Sequence, residues 1–329
     1  MEEQTSFAPE PPPQPLKPMF FGEERIQPLS QRLLWFAGSV GLSWLLLYFL
    51  SRSWQLATGI TGIFLVHELG HLLAMWFFGF KGLRMVFIPL LGAFVSGKRS
   101  RSVQSQEIIV SLAGPVPGLV LASVLLALPL DIPRYCEYLI FIAIFINALN
   151  LLPFQPLDGG RVMNMLMGRQ DGMYTIIMHA SVLVLSVILV LKTGSFFWGL
   201  LGFMAVRMAM SEWKALPARR KMLADGVDFQ QNYNELSDQE FMRLRRYLPL
   251  YDASFGYIDQ YTWAEIPPEQ RRSEELGLRS LLQEPVNYNL SLAGQLLVSA
   301  VWVLAFALPF IIVGPQEVME KITLLFGLQ

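Results

Sequence analysis

Cysteine and histidine are scarce: the chain has one of the former, Cys136, and three of the latter. A single thiol excludes an intramolecular disulfide and any metal site built from cysteines alone. Charge is thin as well. Only 16% of the 329 residues are Asp, Glu, Lys or Arg, against about 25% in an ordinary soluble chain. Those charges nearly cancel, to a formal net of −1, so nothing suggests nucleic acid as a partner and none is expected. The opening Met1-Glu2-Glu3 lacks a basic n-region, and no cleavable signal peptide is expected. No internal repeat is visible.

What the chain has is apolar sequence, 53% of its residues, gathered in blocks of about twenty, the length that crosses a hydrocarbon core. The fold class expected is an all-α polytopic membrane protein, surrounded by lipid, with about seven transmembrane helices. The spans are Leu33–Leu50, Leu56–Phe78, Glu107–Leu128, Tyr138–Leu152, Met173–Leu191, Phe196–Met210 and Leu290–Val313. Between the second and third, Leu83 to Gly97 is too short and too interrupted by Pro89 and Gly92 to span. Its β-branched and aromatic content predicts a short re-entrant or membrane-embedded β segment. The domains expected are a mobile, Pro-rich tail over 1–31, a membrane core over 32–212 and a small cytosolic insert over 213–288. A C-terminal transmembrane helix and tail complete the chain over 289–329.

Seven alternating spans put the tail, the 81–106 and 155–172 loops and the insert on one side. That side holds Arg25, Arg32, Lys81, Arg84, Lys98, Arg99, Arg101, Arg161, Arg169, Arg219, Arg220 and Lys221. The other side has little beyond Arg52, Arg134, Lys192 and Lys321. By the positive-inside rule the first side is cytoplasmic, so the N-terminus and the insert are expected there, in a bacterial plasma membrane.

His67 and His71 lie four residues apart, about 40° around a helix, so both imidazoles leave one face. Glu68 sits on the flank, placed to take a proton from a metal-activated water without binding the metal itself. Two neutral nitrogens and a carboxylate in this pattern are the signature of a zinc hydrolase helix. Three ionisable groups within five residues of an apolar span are costly as mere packing. The competing structural reading is a polar cavity or a proton path. A zinc hydrolase needs a third protein ligand. The position six residues after His71 is Phe77, and the nearest following glutamate is Glu107. His179 lies inside the fifth span and reads as a packing or cavity histidine more than as a ligand or gate. Asp158 is the best remaining candidate, in an unwound Pro/Gly segment at the cytoplasmic end of the fourth span, where non-helical backbone is tolerated if it lines a cavity. The alternative for Asp158 is a turn-forming role before Gly159-Gly160. By topology His67, His71 and Asp158 share a depth.

These residues resemble the site-2 protease family of intramembrane metalloproteases. The resemblance rests on Phe64-Leu65-Val66 leading into His67-Glu68-Leu69-Gly70-His71, on Ala113-Gly114-Pro115, and on Asn150-Leu151-Leu152-Pro153 followed by Pro156-Leu157-Asp158-Gly159-Gly160-Arg161. It covers about residues 56 to 165. The family implies one Zn2+ held by His67, His71 and Asp158, with Glu68 as general base and Asn150 steadying the oxyanion. Asn150 also reads, more plainly, as a polar residue at a helix end. The partners implied are transmembrane protein substrates, cut within or near their membrane segments in regulated intramembrane proteolysis. The family further implies that Met85 to Ser96 form strands that bind an unwound substrate by strand addition.

Two features depart from the pattern. Gly118 stands where family members often carry asparagine three residues after the Gly-Pro, and altered packing is expected. No stretch fits an inserted PDZ domain, and 213–288 does not read as a paired nucleotide-binding module. Two other functions stay open: a non-catalytic relative that binds membrane clients, and a transporter or channel with a polar centre. A di-iron membrane oxygenase of the histidine-rich kind is excluded, since it would need many more histidines than the three present. No residue pattern specifies an oligomeric state.

Overall fold

The computed structural model describes residues 28–88, 92–99, 102–128, 131–167, 172–261 and 265–316, with Glu320. Of the tail expected over 1–31, residues 1–27 lie outside the described residues, as do Pro89, Arg101, Arg169 and Lys321. The described chain forms two compact units, 28–213 with 284–316, and 214–283.

The first unit starts with two long helices, α1 (Leu29–Ser51) and α2 (Trp54–Phe77). Ser53 caps α2, its hydroxyl accepting from Leu56 N–H. A hairpin follows, β1 (Lys81–Ile88) antiparallel to β2 (Gly92–Lys98), with Phe87 opposite Ala93 and Met85 opposite Val95. The hairpin hangs from α1 by its β1 edge. Phe87 N–H donates to Ser39 Oγ at 3.0 Å, and Arg32 Nη1 donates to Leu83 O at 2.9 Å. Among the described residues no strand pairs with the outer edge of β2.

The short β3 (Ser102–Val103) leads into α3 (Gln104–Ala113) and α4 (Pro115–Ala127). These form one apolar rod broken at Gly114, because Pro115 and Pro117 lack the N–H groups that would continue the ladder. Then come α5 (Arg134–Asn150), α6 (Asp158–Met167), α7 (Met173–Thr193) and α8 (Phe196–Ala224). The α5 helix stops short of Pro153, as the restriction on residues before proline requires. Asp158 opens α6 instead of lying in unwound chain. A carboxylate in the first turn complements the helix dipole, and only the turn over 151–157 is non-helical.

Five helices of the described residues are long and apolar enough to cross a membrane: α1, α2, the α3–α4 rod, α7, and the last helix (Leu292–Ile312). The chain therefore has a multi-pass membrane architecture with small sheets. Of the other two expected spans, α5 has 17 residues, and the apolar start of α8 runs into Arg207 and Glu212.

The second unit takes the end of α8 together with α9 (Asp238–Arg245), α10 (Leu248–Tyr251) and α11 (Pro268–Leu281). A capping box joins Ser237 and Glu240 at the start of α9. Phe229, Phe241, Leu244, Leu248, Leu278 and Leu281 fill its core. Beside them Arg245 grips Glu274 through two bonds of 2.6 and 3.0 Å, both side chains almost wholly buried. In the first unit the chain returns through β4 (Val286–Asn287), parallel to β3, into α12 (Leu292–Ile312), capped by Ser291.

Candidate metal centre

His67 and His71 both point from α2 into the protein, and both are buried with Glu68. Asp158, the first residue of α6, meets them. His67 Nε2 lies 3.1 Å from Asp158 Oδ2, His71 Nε2 lies 3.2 Å from the same oxygen, and the two nitrogens are 3.1 Å apart. Ligand atoms at opposite corners of a tetrahedral zinc site, with bonds of 2.0–2.1 Å, are about 3.3–3.4 Å apart. The triangle is therefore the right size. Among the described residues it is the one group of three His, Cys or carboxylate side chains that could hold a metal ion.

The far sides of the rings fix their chemistry. His71 Nδ1 faces Val110 O at 2.7 Å. A carbonyl only accepts, so Nδ1 carries the proton. His67 Nδ1 faces Asn147 Oδ1 at 2.9 Å, while Asn147 Nδ2 donates to Ala143 O at 2.7 Å. The amide is thus oriented with its oxygen toward the ring, and His67 Nδ1 donates as well. Both Nε2 atoms then turn lone pairs toward each other and toward a carboxylate oxygen. Three electron pairs meeting with no proton between them repel, and a cation at their centre removes the repulsion. The donor set fits zinc, with outer partners that hold each imidazole in its binding tautomer.

Backbone proximity makes this geometry possible. A Cβ on Gly70 would fall on the carbonyl oxygen of Ala113. One on Gly114 would fall on His71 Nε2 and lie 2.5 Å from Cε1. The helix carrying the histidines and the α3–α4 break thus cross at a pair of glycines, and Pro115 ends α3 where the ring must pass. Gly118 has a related use. A Cβ there would sit 2.8 Å from Asn147 Nδ2, so the missing side chain leaves room for the amide that orients His67.

A cavity of about 310 Å³ opens beside the three ligand atoms. Glu68, Asn150 and Arg161 contribute its polar lining. Its walls are apolar: Phe64 of α2, Ala93, Phe94 and Val95 of β2, Phe145 and Leu149 of α5, and Phe197 and Leu201 of α8. The guanidinium of Arg161 stacks over Phe94, 5.8 Å from the ring centre.

Each residue singled out in the sequence is thereby located. His67, Glu68, His71, Asp158 and Asn150 share the cavity. Asn150 turns its amide back onto its own helix, donating to Ile146 O at 3.0 Å. His179 stands apart, buried, with Nδ1 2.6 Å from Thr175 O and Nε2 2.9 Å from Gln155 O. Sequence reasoning missed Asn147. Its polarity in an otherwise apolar stretch, one helical turn before Asn150, marks the residue but does not reveal its partner.

Comparison with known proteins bears on the segment that carries the two histidines. Residues 55–130, which hold His67, Glu68, His71 and the Gly114 break, match the model for peptidase family M50. The class this segment resembles is the membrane metalloproteases of the site-2 protease kind, as the motifs implied. The particular relative is stage IV sporulation protein FB of Bacillus subtilis (strain 168), 32% identical over 111 residues. That alignment covers 33% of this chain and 38% of the relative, so the chain spans well under two thirds of the relative's length. No solved structure matches.

Proposed function

We propose that this protein is an intramembrane zinc endopeptidase that hydrolyses peptide bonds within or near transmembrane segments of other membrane proteins. The observation that carries the reading is the convergence of His67 Nε2, His71 Nε2 and Asp158 Oδ2 beside a cavity that also holds Glu68. One zinc ion bound there would acidify water and polarise a carbonyl. Glu68, next in sequence to one ligand, takes the proton from the attacking water and returns it to the leaving amine. Asn150 also lines the cavity, and its amide has to turn from Ile146 O to donate to the oxyanion.

The substrate enters as extended chain. A helix buries its peptide bonds in its own ladder, whereas the outer edge of β2 has backbone groups to offer and lines the cavity. Apolar walls suit the side chains of a transmembrane segment. In this reading α5 and the start of α8 cross the membrane with the other five, giving seven spans. The Arg- and Lys-rich side, including the 213–288 insert, faces the cytoplasm.

The test is Glu68→Gln beside His67→Ala, with a single-span client in the same membrane. Glu68→Gln is expected to keep zinc and lose cleavage, and His67→Ala to lose both. A client still clipped by the Glu68→Gln variant removes the mechanism. A metal-independent transport activity that survives it would favour a channel instead.

A further inference from the structure

Asp158 reaches the histidines from the end of a non-helical turn over 151–157, so the site is only as well placed as that turn. Three of its carbonyls accept from nearby backbone N–H groups. Leu152 O accepts from Phe154 N–H at 2.9 Å and Phe154 O from Leu157 N–H at 3.1 Å. Leu157 O accepts from the N–H groups of Gly160 and Arg161. Two further carbonyls are held by side chains from distant helices. Trp302 of α12 donates its indole N–H to Leu151 O at 2.9 Å. His179 of α7 places Nε2 2.9 Å from Gln155 O and donates to it in the tautomer with the proton on Nε2, while Nδ1 faces a second carbonyl, Thr175 O, at 2.6 Å. Both donors are buried, His179 to 1% exposure. Neither lines the cavity or belongs to the metal group.

We propose that His179 and Trp302 are positioning residues that hold this turn at Gln155 and Leu151 and so keep Asp158 on the shared metal. The proposal rests on the reading of Asp158 as a ligand. Metal sites accept ligand distances within about 0.2 Å, a tolerance that a turn held only by its own bonds does not guarantee. The packing is consistent with a clamp. Phe154 is wedged against Val182 of α7 and Ala205 of α8, so sliding of the turn is blocked sideways while the two side chains hold it at Leu151 and Gln155. The role differs from that of Asn147 and Val110, which hold the rings of the histidine ligands directly. Here two helices outside the site control the carboxylate through backbone.

The test uses the full chain in detergent micelles. His179→Phe keeps an aromatic ring of similar size and removes both nitrogens. Trp302→Phe removes only the indole donor, and His179→Gln restores a donor at the same place. Zinc affinity is read by competition with a chelator, and ligand geometry by the visible absorption bands of the Co2+-loaded protein. His179→Phe is expected to weaken zinc about 10–100-fold and to shift the cobalt bands. His179→Gln should recover most of that loss, and Trp302→Phe should change both readouts in the same direction as His179→Phe. If His179→Phe does not fold, Trp302→Phe and His179→Gln carry the test. Folded variants with unaltered zinc affinity and cobalt spectrum overturn the proposal, as does a loss that glutamine fails to recover. Asp158→Ala separates this from the reading beneath it. Unaltered zinc affinity in Asp158→Ala would remove Asp158 as a ligand. Loss there, alongside a normal His179→Phe, would overturn the clamp alone.

Discussion

Alanine at Gly114 adds one methyl group to the chain, and the structure puts that carbon on top of His71, a ligand of the proposed zinc centre. The new Cβ would overlap His71 Nε2 and lie 2.5 Å from Cε1 and 2.8 Å from Cδ2. Carbon atoms at rest are 3.5–4.0 Å apart, so the ring must retreat by about 1 Å. It has nowhere convenient to go. His71 Nδ1 is tied at 2.7 Å to Val110 O, on the same α3 segment that brings the methyl. A retreat of that size is about five times the 0.2 Å a metal–ligand distance tolerates. Gly114→Ala is therefore expected to weaken zinc by about a hundredfold or more, roughly 2.8 kcal/mol. Overpacking itself adds about 1–3 kcal/mol of lost stability. Zinc per chain after dialysis against a graded chelator reads the first effect, and the thermal midpoint reads the second. Gly62→Ala is the control on the helix that carries the histidines. Nothing lies within 4 Å of its added Cβ, so it should keep its zinc and gain about 0.5–1 kcal/mol from the better helix former. A Gly114→Ala protein with a full zinc complement and unaltered cleavage would refute the argument from backbone proximity.

Asn147→Leu keeps side-chain volume but removes the acceptor at His67 Nδ1, and should weaken zinc about 10–100-fold with the fold intact; chelator competition reads it. In the 214–283 unit, Arg245→Met leaves the Glu274 carboxylate buried without its cation and should cost about 3–5 kcal/mol. Replacing both residues by Met and Leu should recover most of that loss. Denaturant unfolding, followed by limited proteolysis of that unit, distinguishes the two variants.

The site was legible in the sequence to the extent that its chemistry is local. His67, Glu68 and His71 lie within one helical turn or so, and their spacing alone places them together. Asp158 is far away in sequence, yet its Pro and Gly neighbours mark an end to the preceding helix, and only one other histidine, His179, competes for the third position. Asn147 could not be read in the same way. Its role depends on α5 lying against α2 with Gly118 yielding space, a juxtaposition that no short-range pattern contains. His179 was equally opaque, since a buried histidine in an apolar span can satisfy itself in many ways. Its link to Gln155 exists only once the 151–157 turn is folded. At the level of the fold, the Gly-Pro break and the β character of 83–97 were readable from residue type. The attachment of the hairpin to α1 through Ser39 was not. In the insert, Arg245 and Glu274 are separated by 29 residues, and such a pair gives no sign in sequence that burial brings it together.

The crossing of Gly70 and Gly114 bears on where such a site can be moved. A helix bearing the two histidines and the glutamate, grafted into another bundle, would carry its ligands but not the notch that admits the His71 ring. It would also lack the carbonyl of Val110 and the amide of Asn147 that set the tautomers. The smallest transferable unit is discontinuous: the turn of α2 around 67–71, the broken rod around 110–118, and the stretch from 147 to 160. Inheritance would accordingly preserve three separated blocks together while the helices between and around them drift. A lineage that kept the α2 turn and lost either of the other two blocks would retain a membrane protein with two histidines and no reason to hold a metal.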